Sequence, residues 1–96
     1  MSNLHKNVIL REQAEPVIAA MGSTFDSHQF IVEFILRYPQ VYLDILHTYH
    51  YTGKAHGAIA ACLQENSNTL HIERQGKVRS ANIFGRNTLC ELWRKV

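Results

Sequence analysis

Hydrophobic spacing along this chain changes once, and that change governs what the chain can fold into. Up to about residue 65, apolar side chains recur at intervals of three and four, the period of a helix with one buried face. After ENSN, Glu65 to Asn68, the pattern alternates. In TLHIER, Leu70 and Ile72 point one way and His71 and Glu73 the other, as in a strand. Helices first and strands afterwards make an α+β chain: about four helices followed by a small antiparallel sheet that ends in a hairpin.

The helices can be placed from their punctuation. The first is expected over about residues 8–21, with Val8, Ile9, Val17, Ile18 and Met21 inward and Gly22 as its stop. Pro16 either kinks it or lies in the first turn of a shorter helix starting near Glu15. Ser23 to Phe25 fits a very short strand. Asp26 and Gln29 form a capping box for a helix from Ser27 to about Arg37, which buries Phe30, Ile31, Phe34 and Ile35. Tyr38-Pro39 ends that helix and opens another, with Tyr42, Ile45, Leu46 and Tyr49 on its inner stripe. HTYHYTG leads out to Gly53. Lys54 to about Glu65 is the fourth helix, with Ala55, Ala58, Ile59, Cys62 and Leu63 inward.

The stranded part has its own marks. Gln75-Gly76 reads as a bend or bulge. Lys77–Ile83 and Leu89–Lys95 read as hairpin arms around FGRN. The last arm alternates poorly, with Leu89, Cys90, Leu92, Trp93 and Val96 on both faces, as expected of a strand partly covered on each side.

The 96 residues are expected to form a single domain, residues 1–96. Apolar residues make up 46% and charged residues 19%, a balance that suits a folded globule rather than a disordered chain. The opening residues lack a secretory pattern, and the longest apolar run, IVEFIL, is broken by Glu33. The expectation is a cytoplasmic protein without a membrane span. Cys62 and Cys90 read as buried, reduced thiols.

Charge is unevenly spread. Residues 74–96 carry six cations against Glu91 alone, a net +5, whereas residues 1–73 carry a net −3. A basic segment on an acidic body suits an anionic partner. It also suits a hairpin edge kept soluble by Lys and Arg.

Catalytic and metal patterns are weak. His47 and His50 lie three apart, and a zinc site there needs His56 and Cys62 to converge, although Cys62 reads as buried. There is no HExxH, phosphate loop or nucleophile elbow. Asp44 and His47 read as an ordinary side-chain pair on one helix. No enzymatic activity, cofactor, metal or small-molecule substrate is expected.

Three helices and a terminal β-ribbon, interrupted by one extra helix, resemble the winged helix-turn-helix superfamily. The likeness runs from about Val8 to Val96 and rests on the order of elements. It implies that Lys54–Glu65 is a recognition helix and FGRN a wing tip. The connection from Tyr38 to Gly53 is longer than the family's usual turn. The implied function is binding of double-stranded DNA, in the manner of a transcriptional regulator, with the helix in a major groove and the wing on the backbone. Residue by residue, this assigns Lys54, His56 and Gln64 to the groove and Lys77, Arg79, Arg86 and Asn87 to the phosphates, Ser80 adding a neutral donor. The outward face of the helix is Gly57, Ala60, Ala61 and Gln64, so weak base discrimination is expected. The same small-residue face suits a protein contact. The alternative is therefore an interaction module, a homodimer or a small accessory subunit using the same helix and hairpin. Phe84 at the wing tip is either tucked under the hairpin or exposed as a wedge.

Overall fold

The computed structural model describes the backbone from residue 2 and the side chains from residue 11 to residue 96. The inward placing of Val8 and Ile9 lies outside the described side chains. The elements are α1 (Ser2–Ala19), β1 (Thr24–Asp26), α2 (Ser27–Arg37), α3 (Pro39–Thr48), α4 (Lys54–Glu65), α5 (Ser67–Leu70), β2 (Ile72–Ala81) and β3 (Asn87–Lys95). This is the α+β layout expected from the change of period, with a one-turn helix added.

Local chemistry accounts for most boundaries. The Asp26 carboxylate accepts from the Gln29 backbone N–H at 2.8 Å, and the Gln29 side chain accepts from the Asp26 N–H at 2.9 Å, which closes the capping box. Pro39 takes the first position of α3, where its missing N–H costs nothing. The exit from α3 uses two consecutive residues in left-handed backbone, His50 and Tyr51, with φ of 56° and 58°. Each costs about 1–2 kcal/mol relative to a right-handed conformation. The Tyr51 N–H recovers a 2.7 Å bond to the Leu46 carbonyl.

Three expectations change. α1 starts earlier and runs through Pro16 to Ala19, so neither a late start near Glu15 nor a helix to Met21 holds. ENSN is not only a turn: Asn66 leads directly into α5, and Leu70 is buried from a helix rather than from a strand. β2 is one strand from Ile72 to Ala81, bulged between Arg74 and Gly76, where Gly76 has φ 121°. The bulge stands where Gln75-Gly76 marked it.

The sheet order is β1-β3-β2, entirely antiparallel. β3 is central, which explains its poor alternation: Trp93 is buried, and Cys90, Glu91 and Leu92 are half-buried. Trp93 is 2% exposed and donates its indole N–H to Ser27 Oγ at 3.2 Å, pinning the start of α2 to the sheet. Around it pack Phe25, Phe30, Phe34, Val17, Ile59 and Leu63. Each large apolar side chain buried there contributes about 1.5–3 kcal/mol. This core fixes α4 against α1 and α2 and leaves the far side of α4 facing the hairpin.

Candidate functional site

α4 buries Ala55, Ile59, Cys62 and Leu63 and carries small residues on its flank, Ala60 still packing against the edge of the core. Gly53, Gly57 and Ala60 form one wall of a cleft of about 410 Å³, and the hairpin supplies the other through Lys77, Phe84, Leu89 and Glu91. The small side chains make this space. A Cβ added at Gly57 meets no atom within 4 Å.

The hairpin places its residues by register. Lys77 lies opposite Glu91, Arg79 opposite Leu89, and Ala81 opposite Asn87. Facing residues of an antiparallel pair share a side, so Lys77, Arg79 and Asn87 fall on one face with Leu89 and Glu91. The turn beyond them is held by Asn82, whose side-chain oxygen accepts from the Phe84 and Arg86 N–H groups at 2.9 and 3.1 Å. Gly85 supplies the left-handed residue, at φ 79°. This organised turn leaves Arg86 exposed and sets Phe84 at the mouth of the cleft. Phe84 is 69% exposed, so its ring is not buried under the hairpin.

His56 joins the two walls. Its ring stacks on Tyr42, with centroids 5.8 Å apart and an interplanar angle of 19°, and meets the Phe84 ring edge-on at 5.6 Å. Its Nε2 lies 2.7 Å from the Tyr42 hydroxyl. Burial lowers the His56 pKa and raises that of Tyr42, so both are held in their neutral forms. The hydroxyl and Nε2 share one hydrogen bond, whose direction follows the imidazole tautomer. His56, assigned from sequence to the groove, is half-buried and connects α3, α4 and the hairpin tip.

The other assigned residues divide by their partners. Lys54 and Gln64 are exposed at opposite ends of α4. Arg79, Arg86 and Asn87 are exposed on the hairpin, and among the described residues neither arginine has an acidic partner. Lys77 does: its Nζ is 3.1 Å from Glu91 Oε2, and Arg74 Nε approaches Oε1 of the same carboxylate at 3.4 Å. Arg94 pairs with Glu73 at 2.7 Å, which holds the Glu73 carboxyl below the usual carboxylate range. Lys95 donates to the Met21 carbonyl at 2.6 Å. Much of the positive charge counted along residues 74–96 is thus answered within the molecule.

The histidines and cysteines arrange themselves unlike the spacing considered from sequence. His47 contacts Tyr51, His56 contacts Tyr42, and Cys62 is buried, its thiol pushed up to about 11 by desolvation. Sequence reading missed a different set. Asp26, His28 and Cys90 bring one donor atom each to within 4.8 Å of one another. Their separation in sequence hides them; only the pairing of β3 beside β1 brings them together. Comparison with family models, curated proteins and solved structures finds no match for this chain.

Proposed function

We propose that this chain binds duplex nucleic acid through α4 and the β2–β3 hairpin, the helix entering a groove and the hairpin lying along the backbone as in a winged helix. The observation that carries this reading is the contact of Phe84 with His56, which joins the hairpin tip to the first turns of α4. Among the described residues, Lys54, Arg79 and Arg86 have no acidic partner around that junction. Phosphate neutralisation by these three side chains gives a slope of log affinity against log salt of about −2.7. Gly57, Ala60 and Ala61 offer no side chain that reaches a base edge, so discrimination between sequences is weak.

The test is fluorescence anisotropy of a labelled random duplex against salt. Wild type binds with a slope near that value, and Arg79→Ala with Arg86→Ala removes roughly 1.8 of it. Absence of binding even at low salt overturns the reading. A second reading, a contact with protein, is favoured by the exposure of Phe84 and Leu89 beside the cleft. Its signature is self-association or partner binding that changes little with salt.

A further inference from the structure

Asp26, His28 and Cys90 come from three elements: the end of β1, the first turn of α2 and the middle of β3. Asp26 is buried, and His28 and Cys90 are partly buried. The capping bond from the Gln29 N–H uses one oxygen of the Asp26 carboxylate and leaves the other for a further partner. The Ser80 hydroxyl lies 2.8 Å from His28 Nδ1 and 3.6 Å from Cys90 Sγ. A single neutral oxygen therefore touches two of the three donors, which face one another rather than outward. His28 Nδ1 also lies 3.1 Å from the Ser80 carbonyl, and Nε2 is 3.3 Å from Thr88 Oγ1. One nitrogen can stay on such a neighbour, which fixes the ring, while the other turns to a cation.

We propose that Asp26, His28 and Cys90 form a binding site for one zinc ion. A thiolate, an imidazole and a carboxylate form a mixed donor set that suits Zn²⁺ better than the all-oxygen preference of Mg²⁺ or Ca²⁺. Zinc bonds of about 2.0–2.3 Å place tetrahedral ligands about 3.3–3.8 Å apart. From separations within 4.8 Å the donors close by at most about 1–1.5 Å, and the Ser80 hydroxyl turns aside or becomes a fourth contact. The positive end of α2 opposes a cation here; a carboxylate and a thiolate supply two negative charges against it. On binding, Cys90 gives up its thiol proton to solvent. The open groove lined by Asp26, His28, Gln29 and Ser80 gives access from solvent. The ion ties the β1–α2 junction to the central strand.

Co²⁺ titration of the metal-stripped chain is the experiment. Wild type is expected to develop a sulfur-to-cobalt charge-transfer band that saturates at a single equivalent and is bleached by Zn²⁺. Cys90→Ala abolishes the band. Asp26→Asn keeps the capping acceptor, and so the fold, while weakening binding by about ten-fold or more. Cys62→Ala leaves the titration unchanged. The assignment is overturned by a wild type without the band, by a band that survives Cys90→Ala, or by one lost in Cys62→Ala with its circular dichroism intact. None of these readouts involves nucleic acid, so this site and the binding surface stand or fall separately.

Discussion

Replacing Glu91 with glutamine probes the candidate interface more sharply than removing a cation does. The Glu91 carboxylate sits between Lys77 and Arg74, whose side chains are 62% and 47% exposed, while its own is 20% exposed. Glutamine keeps the shape and removes the charge, freeing two cations. If each takes a phosphate, the salt slope steepens by about 1.8. Between about 50 and about 200 mM salt, that widens the fall in affinity by roughly ten-fold relative to wild type. The carboxylate is largely shielded, but both cations are about half exposed or more and stay solvated once freed, so the cost to folding is about 0–2 kcal/mol in total. Anisotropy with a random duplex at several salt concentrations gives the slope, and urea denaturation gives the cost. Tighter binding at low salt with a steeper slope is expected. An unchanged slope in a folded variant refutes the placing of Lys77 and Arg74 on the phosphate-facing surface.

Gly57→Ala is expected to stabilise the chain by about 0.5–1 kcal/mol, since the helix interior gains a better helix former and the added Cβ meets nothing within 4 Å. Differential scanning calorimetry should show a rise in Tm of about 3–6 °C. The folded chain resists protonation of His56 relative to the unfolded chain, because burial lowers its pKa. The stability this ring contributes is therefore full above the ordinary imidazole range and is lost as pH falls through that range toward the folded-state value. Urea midpoints of wild type and His56→Gln, measured across that window, should converge on acidification. Cys62, buried with its thiol raised to about 11, should resist iodoacetamide near neutral pH while Cys90 is alkylated first, as peptide mass spectrometry will show.

Signals that act over a few residues were legible. The Asp26–Gln29 box, Pro39 at a helix start and the bulge beside Gly76 each combine a special residue with its neighbours, and each stands where its residues put it. Pro16 was not legible in the same way. A proline removes one bond from a helix that the buried Ala14, Val17 and Ile18 hold in place, so packing outweighs the local penalty. Asn66, which reads as a turn residue, leads into a helix too short to leave a periodic trace. The candidate surface was legible in its residue types and not in its pairings. Linear charge counting set Glu91 against six cations; cross-strand register gives it to two of them, Lys77 directly opposite and Arg74 one pleat away. The Asp26, His28 and Cys90 group and the Tyr42–His56–Phe84 stack depend on tertiary closure, which no local pattern encodes.

The central position of β3 bears on how the molecule assembles. Thr24 of β1 pairs with Arg94, so β1 finds no strand to join until residues 92–94 have emerged during synthesis. Phe25 and the indole pocket beside Ser27 then wait without cover, although the helices around them have already been made. Closure between such distant segments is slow compared with helix formation. Truncation ahead of Leu92 would strip β1 of every partner and leave a helical intermediate with an open aromatic core, a natural target for chaperones.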